Sequence, residues 1–146
     1  MERRRFVRQC GICTVAIPLG AVLLPSCGSI HYATAARKGN RLSVARSEFV
    51  EVTKNRQRMR EFVLIDFPEA GFPICLYRQS EDDYLAALMK CTHRGCELNV
   101  GAGIYACPCH GSEFSINGTV LNGPAEHDLQ VYQTLTDDTH VYIQLV

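Results

Sequence analysis

Two short segments, each containing cysteine, histidine and glycine, constrain this 146-residue chain more than any other feature of its sequence. Residues 91–96 read CTHRGC, and residues 107–112 read CPCHGS. Each offers a Cys and a His within one turn, in the spacings C-x-H and C-x-x-H, and each has a second Cys close by. Thiolate sulfur favours iron or zinc, and neutral imidazoles leave less negative charge on a metal site than further thiolates would, which raises its reduction potential. The pattern therefore predicts a metal centre that holds iron or zinc.

The two segments resemble the cluster-binding loops of Rieske [2Fe-2S] proteins. In that family two Cys bind one iron and two His bind the other. The resemblance implies that Cys91 and Cys107 bind one iron, and that His93 and His110 bind the other. It therefore implies one [2Fe-2S] cluster as the cofactor and electron transfer as the activity.

The remaining two Cys of the segments also have an implied role. By resemblance to the same family, Cys96 and Cys109 form a disulfide that ties the loops together and limits their opening. A zinc-binding interaction module is the non-redox alternative, because Cys2His2 sets are common zinc ligands. Zinc fingers, however, group like ligands, whereas Cys and His alternate here. A framework of plain disulfides would leave both His without a role.

A third segment, which begins with Gly123 and Pro124, follows the second motif. Rieske proteins carry a Gly-Pro loop there that covers the cluster, so the resemblance implies this role for Gly123 and Pro124. The run Asn-Gly-Pro at 122–124 would also form an ordinary turn, and the two roles are compatible. The loop lacks the second Pro common in quinol-oxidising members and has Glu126 after Ala125. The thirteen residues between the two ligand spacings are also few for the family, which predicts a trimmed hairpin between the loops.

Two positions after the second motif bear on the reduction potential. Hydrogen bonds to cluster sulfurs stabilise the reduced form and raise the potential, and in high-potential Rieske proteins a Ser and a Tyr supply them. Ser112 matches the Ser, but Phe114 stands where the Tyr would be. We therefore expect a potential near the middle of the Rieske range of roughly −150 to +300 mV. An exposed cluster imidazole would also lose a proton more readily on oxidation, which predicts a potential that changes at alkaline pH.

The N-terminal 26 residues have the features of an export signal. Residues 3–8 read RRRFVR and match the twin-arginine pattern R-R-x-F-[LV]-[KR]. The apolar run at 10–24 has fifteen residues, short of the ~20 that span a bilayer, and suits a signal peptide. Because an iron–sulfur cluster is inserted in the cytoplasm, a protein of this kind would have to cross the membrane already folded, as the twin-arginine route permits.

A lipid anchor is predicted where this signal ends. Residues 24–29 read LPSCGS and resemble a lipobox, in which Cys27 is lipidated and becomes the mature N-terminus. Pro25 is unusual at its position, so an unmodified Cys27 and a retained anchor at 10–26 stay open as alternatives. The expected location is the periplasmic side of a bacterial membrane, where an oxidising compartment permits the disulfide.

Charge and composition limit the partners. The chain has fifteen basic and fifteen acidic residues, and loss of residues 1–26 leaves eleven and fourteen, a net charge of −3. No nucleic-acid partner is expected for such a surface. The basic run at 54–60, KNRQRMR, suits a solvated turn or edge strand, and a docking patch for an acidic partner or for anionic lipid head groups is the alternative. Cys75 lies in an apolar run and is expected to be buried.

The fold is predicted to be all-β. Short apolar runs separated by Gly, Pro, Asn or Asp recur about every ten residues, and no long helical pattern appears. The Asn-Gly pair at 117–118 predicts a tight hairpin, residues 137–139 a second turn, and the apolar alternation at 141–145 one buried face. The resemblance implies a Rieske-type antiparallel β-sandwich with a small cluster-binding subdomain of loops.

The chain is expected to divide into three parts. Residues 1–26 form the signal, residues 27–40 form a tether, and residues 41–146 form the Rieske domain, with the cluster loops at about 90–125. An anchor and a cluster in one small chain indicate an exported, lipid-anchored protein that transfers one electron at a time.

The expected partners are a quinol-linked or other membrane donor and a cytochrome or oxidase acceptor. One alternative is the Rieske subunit of a quinol–cytochrome c oxidoreductase. Another is the small Rieske subunit of a molybdenum oxidase of the arsenite-oxidase kind. We identify no catalytic residue, so any oxidoreductase turnover would require partner subunits.

Overall fold

The fold is all-β, as predicted. The computed structural model describes residues 30–54 and 56–145, and in these residues it contains thirteen strands and a 3-10 turn at Arg46–Phe49. No helix in this part of the chain is long and apolar enough to cross a membrane. The predicted export signal and Cys27 lie outside the described residues. The strands are β1 (Ala35–Lys38), β2 (Arg41–Ala45), β3 (Val50–Thr53), β4 (Arg56–Met59), β5 (Phe62–Ile65), β6 (Ile74–Arg78), β7 (Tyr84–Leu88), β8 (Asn99–Gly101), β9 (Ile104–Ala106), β10 (Glu113–Ser115), β11 (Val120–Asn122), β12 (Val131–Thr136) and β13 (His140–Gln144).

Three antiparallel sheets make up the described domain. The largest has the strand order β1-β2-β13-β12-β7-β6-β5, the second has the order β11-β10-β9-β8, and β3 pairs with β4 alone. The large sheet curls on itself, because the chain just before β1 pairs with β5 at the opposite edge. There Tyr32 and Leu64 form an isolated parallel β-bridge, in which the Leu64 N–H donates to the carbonyl of His31. The turns predicted at 117–118 and 137–139 are confirmed, since each connects two paired strands.

The structure places part of the predicted tether in the large sheet. Residues 35–38 form β1, with Ala35 opposite Val44 of β2, and Ala33 is buried. The side chains of β1 are mostly exposed, so no apolar alternation indicated a strand. It forms because the edge of β2 offers unpaired N–H and C=O groups, and backbone pairing requires no particular side chain.

Strands β6 and β7 are buried on both faces and separate two hydrophobic cores. Because side chains alternate along a strand, Ile74 and Leu76 of β6 enter the core enclosed by the large sheet. Cys75 and Tyr77 enter a second core, which also contains two of the predicted ligand cysteines. The alternation predicted at 141–145 is confirmed, because its apolar side chains lie in the first core.

The strand register defines two ends of the domain. Leu88 of β7 pairs with Ile74 of β6, and the first Cys/His segment begins shortly after Leu88, so this is the loop end. At the other end Tyr77 of β6 pairs with Phe62, where β5 begins. Strand β4 ends at Met59, just before Phe62. The β3–β4 hairpin therefore lies at the end opposite the Cys/His segments.

Candidate metal centre

The two Cys/His segments form loops of the same shape beside the four-stranded sheet. Loop 1 (residues 91–96) follows β7, and loop 2 (residues 107–112) connects β9 to β10. In loop 1 the carbonyl of Cys91 accepts from the N–H of Gly95 at 2.8 Å. In loop 2 the carbonyl of Cys107 accepts from the N–H of Gly111 at 3.1 Å. The first Cys of each motif therefore occupies the same position in a tight turn.

A glycine makes each turn possible. Gly95 has φ +74° and Gly111 has φ +79°, in the left-handed region where a side chain is unfavourable. The N–H of the first Cys of each loop donates to the carbonyl of the last residue of that loop, at 2.8 Å in both cases. Each loop is thus closed by two backbone hydrogen bonds, which fix the direction of its first Cys.

The structure brings the predicted ligand side chains together in two pairs, one of thiols and one of imidazoles. Cys91 and Cys107 are free thiols, both buried in the second core, and the Cys91 side chain helps to lower the pKa of Cys107. The rings of His93 and His110 have centroids 4.9 Å apart and lie nearly perpendicular, at 89°. His110 is exposed, whereas His93 is partly buried. A pair of thiols and a pair of imidazoles therefore lie on the two loops at this end of the domain.

The ring of His93 tests whether a metal group fits this donor set. Its Nδ1 is buried and has no hydrogen-bond partner within the described part of the chain. A buried ring nitrogen without a partner is costly, and a bound metal would supply the missing interaction. The residues present thus fit a centre with two Cys on one iron and two His on the other.

The other two Cys of the loops form a disulfide. Cys96, the last residue of loop 1, is bonded to Cys109 in loop 2, with their Cα atoms 6.6 Å apart, so the predicted bridge is confirmed. The sulfurs of this pair lie within 4.8 Å of the Cys107 sulfur. Because the bridge occupies both sulfurs of the pair, Cys107 is the thiol of this trio that remains free to bind a metal.

A family comparison decides the class of this site. The family model of the Rieske [2Fe-2S] domain matches residues 43–133, more than half of the chain. The chain belongs to the Rieske family. The domain therefore binds one [2Fe-2S] cluster, and this cofactor replaces the zinc alternative. Among solved structures, the Rieske domain is similar to the cyanobacterial plasma membrane Rieske protein PetC3 from Synechocystis PCC 6803. That similarity has a TM-score of 0.51 at 31% identity and covers 57% of this chain and 86% of that chain.

Curated relatives of this Rieske domain include subunits of cytochrome b6-f complexes. The iron-sulfur subunit from Synechococcus sp. (strain JA-2-3B'a(2-13)) is 43% identical over 53 residues, which make up 35% of this chain and 31% of that protein. Iron-sulfur subunit 3 from Nostoc sp. (strain PCC 7120 / SAG 25.82 / UTEX 2576) is 27% identical over 98% of this chain and 84% of that protein. The match to the first of these relatives thus spans less than a third of its length.

The third loop of the Rieske domain is bonded to loop 2. Ser112 is fully buried, and its hydroxyl oxygen accepts a 3.0 Å hydrogen bond from the N–H of Ala125. Gly123 and Pro124, joined by a cis peptide bond, lie between the end of β11 and this contact. The segment that resembles a cover loop is therefore fixed against loop 2 immediately after its Gly-Pro pair.

Loop 1 is bonded to the third loop as well, by a residue that the sequence did not indicate. The hydroxyl of Thr92 donates to the backbone carbonyl of His127 at 2.6 Å. Thr92 lies between the predicted ligands Cys91 and His93. Its role depends on a contact between residues 35 positions apart in the chain, which no local sequence pattern predicts.

Phe114 is fully buried on β10, opposite Tyr105 of β9. Tyr105 does carry a hydroxyl, but it lies beside the thiol of Cys75 and has no oxygen or nitrogen partner among the residues described. Burial raises the pKa of Cys75 to about 12 and also raises the pKa of Tyr105, so both groups stay protonated. Cys75 is buried, as predicted. The position that bears a Tyr in high-potential members therefore offers no hydroxyl here.

Local hydrogen bonds prepare Cys107 for metal binding. Burial raises its pKa, but the backbone N–H groups of Cys109 and His110 donate to its sulfur and lower it. The Cys91 thiol adds a further hydrogen bond, and the resulting pKa of Cys107 lies below its ordinary value. Since the thiolate is the form that binds a metal, these donors favour the ligand state. Donors to a ligand sulfur also raise the reduction potential of a bound cluster.

Proposed function

We propose that this Rieske domain transfers single electrons on the exported side of a bacterial membrane, from a quinol-linked or other membrane donor to a cytochrome or oxidase acceptor. When bound, the [2Fe-2S] cluster supplies the one-electron redox chemistry. In this proposal Cys91 and Cys107 hold one iron, and His93 and His110 hold the other. The observation that carries it is the buried, unpartnered Nδ1 of His93 on loop 1, which also carries the free, buried thiol of Cys91.

The residues around the site divide the remaining tasks. The Cys96–Cys109 bridge holds loops 1 and 2 together, and the Ser112 contact holds the third loop against loop 2. His110 is the proposed ligand that reaches solvent, so a redox partner would approach the loop end. An exposed imidazole can also exchange a proton with that partner, which supports coupled electron and proton transfer.

The membrane setting is supported by the relatives and by the N-terminal sequence. PetC3 is described as a plasma membrane protein, and the curated relatives as subunits of cytochrome b6-f complexes. We propose attachment through a lipidated Cys27 after twin-arginine export. Mass spectrometry of the native mature protein tests this: a chain that begins at an unmodified residue contradicts the lipid anchor.

The relatives favour a second form of the same function. A subunit of a quinol-oxidising complex would resemble the cytochrome b6-f proteins in role as well as in sequence. Purification from native membranes in mild detergent distinguishes the two forms. Stable co-purification of a cytochrome b-type partner would show a subunit, and isolation of the chain alone would show a separate carrier.

The ligand assignment is tested by single substitutions at three histidines. His93→Gln and His110→Gln should each abolish the low-temperature paramagnetic signal of the reduced cluster. His127→Gln is the matched control, because the hydrogen bond from Thr92 ends on the backbone carbonyl of His127 and the His127 ring is not a proposed ligand. The wild-type chain should contain about two iron atoms. A chain loaded with zinc, or a full signal in His93→Gln, would overturn the proposal.

A further inference from the structure

The β3–β4 hairpin is a feature that electron transfer leaves without a role. The two strands pair only with each other and project at the end opposite the Cys/His loops. Residues directly opposite each other in an antiparallel pair share a face, and so do residues two apart on one strand. Val50 is opposite Met59, and Val52 is two residues after Val50, so Val52 and Met59 belong to one face of this ribbon. Val52 is 77% exposed and Met59 is 44% exposed. An isolated pair of strands gains stability from an added contact, and this ribbon offers an unusually apolar face for one.

The other face of the hairpin is basic. Arg58 is opposite Glu51, Arg56 is opposite Thr53, and both arginines are exposed. Neither arginine forms an ion pair with another described residue, whereas Arg60, just after the hairpin, lies 3.9 Å from Glu51. This concentration of positive charge contrasts with the net charge of −3 that remains without residues 1–26. The hairpin itself is therefore attracted to a negatively charged surface, and the acidic β6–β7 turn at the same end, with Glu81, Asp82 and Asp83 exposed, limits that contact to the ribbon.

The chain enters the domain beside this hairpin. Ile30, the first described residue, is 57% exposed and lines a groove together with Arg58 and Met59. Cys27, the proposed lipidation site, precedes Ile30 by three residues, which span at most about 11 Å when extended. A lipid on Cys27 would therefore hold the hairpin within reach of the bilayer surface.

We propose that the hairpin and Ile30 form a membrane-docking surface for anionic phospholipid. Val52, Met59 and Ile30 enter the head-group region, and the arginines bind lipid phosphates. The ribbon is only two strands wide, so long basic side chains on its second face reach around the edges to the head groups. This inference rests on the proposed membrane location and specifies how the domain sits there.

The orientation that follows bears on the redox partner. With the hairpin on the membrane, the loop end lies a strand length away and faces the aqueous compartment. His110 would then meet a partner that projects from the membrane or moves freely beside it. An acidic protein is the other conceivable occupant of the hairpin, but the exposed apolar side chains and the entry of the chain at Ile30 favour lipid.

Tryptophan fluorescence can locate the surface in the full-length protein. The natural chain contains no Trp, so Val52→Trp provides a single reporter. Leu121→Trp is the matched control, because Leu121 is 58% exposed on β11 near the loops. In vesicles of phosphatidylcholine and phosphatidylglycerol with brominated chains, we expect a blue shift and quenching for Val52→Trp and neither for Leu121→Trp.

Substitution of the two arginines by neutral residues tests their role. Arg56→Gln/Arg58→Gln, made in the Val52→Trp background, should lower the ratio of docked to undocked hairpin about thirtyfold. Arg37→Gln/Lys38→Gln removes the same charge from the β1–β2 hairpin and should leave the ratio unchanged. With vesicles of phosphatidylcholine alone, the Val52→Trp chain that keeps both arginines should also show a low ratio of docked to undocked hairpin.

Each outcome has a definite meaning. Equal quenching of the two reporters, quenching of Leu121→Trp alone, or no quenching at either site overturns the docking proposal. The proposal is also overturned if the blue shift and quenching of Val52→Trp require an added acidic protein instead of phosphatidylglycerol. The paramagnetic signal of the reduced cluster is recorded on the same samples. Loss of that signal in the natural chain would contradict the proposed function, and it would leave the quenching result unaffected.

Discussion

The N–H of Ala125 donates a 3.0 Å hydrogen bond to the hydroxyl oxygen of Ser112, and both residues are buried. A hydroxyl has one donor hydrogen and two acceptor lone pairs. Because Ser112 accepts from Ala125, its own hydrogen remains available for a different acceptor. Ser112 can therefore hold the third loop and still donate to a sulfur of the proposed centre.

Ser112→Ala should lower the reduction potential and loosen the third loop. Loss of one hydrogen bond to the reduced form corresponds to a decrease of roughly 50 mV, and the Ala125 N–H loses its partner. Redox titration of the cluster measures the first effect, and hydrogen exchange at Ala125 measures the second. Ser43→Ala, on β2 of the large sheet, is the control and should change neither. An unchanged potential in Ser112→Ala would show that the hydroxyl does not reach the cluster.

Phe114→Tyr should raise the potential by a similar amount. The substitution adds a hydroxyl at the position where high-potential members have one, and redox titration again gives the result. Tyr105→Phe is the matched control, because it removes a hydroxyl from the facing strand that lies beside Cys75. We expect no change in the potential of that variant. If the reduction potential rises neither in Phe114→Tyr nor in the double variant Phe114→Tyr/Tyr105→Phe, the expected role of position 114 is contradicted.

Cys96→Ser/Cys109→Ser should weaken retention of the cluster. The bridge closes a loop with a sequence separation of 13, for which the chain-entropy account gives about 3 kcal/mol of stabilisation. We expect faster loss of visible absorbance on heating and a lower midpoint of thermal unfolding. Cys75→Ala serves as the comparison, because Cys75 is buried and forms no disulfide. If both variants lose the cluster equally fast, the bridge has no special role.

Cys75 should resist alkylation in the folded protein. Burial raises its pKa to about 12, so at neutral pH the group is a protonated thiol that is closed to solvent. Iodoacetamide should modify Cys75 only after unfolding, as peptide mass spectrometry would show. Rapid modification of the loaded, folded protein at Cys75 would contradict the buried position.

Asp137 should make folding stability sensitive to acid. Hydrogen bonds from Tyr142, Thr139 and His140 hold its pKa well below the ordinary value of 3.8. The carboxylate therefore stabilises the folded state above about pH 4, and this contribution is lost as the pH falls through the native pKa. Urea unfolding of Asp137→Asn should differ from the natural chain at neutral pH and converge with it in strong acid. Tyr142→Phe, which removes one donor, should give a smaller difference, and a constant difference at every pH would contradict the argument.

Much of the fold could be predicted because its signals are local. Asn-Gly at 117–118 forms a turn wherever two strands flank it, and alternation at 141–145 fixes one buried face. β1 could not be predicted, because its exposed side chains carry no pattern and only the edge of β2 orders it. β4 was predicted merely as a turn or edge strand, since KNRQRMR contains a single apolar residue and therefore no apolar alternation.

The candidate site shows the same division. The spacing of Cys and His made the loops, the bridge and the ligand candidates predictable, because each is contained in a short motif. The contacts of Ser112 with Ala125 and of Thr92 with His127 join residues from different loops, so they emerge only once the chain is folded. The placement of the Tyr105 hydroxyl at Cys75 likewise results from the packing of two different sheets in the second core.

The two cores separated by β6 and β7 imply an order of assembly. The first core is enclosed by the large sheet and includes none of the six Cys/His side chains of the loops. The large sheet can therefore form before iron and sulfide are delivered, with β7 and β12 already paired. The four-stranded sheet and the three loops, which build the second core, would then close around the incoming metal. We expect the iron-free protein to be a folded acceptor for cluster delivery rather than an unfolded chain.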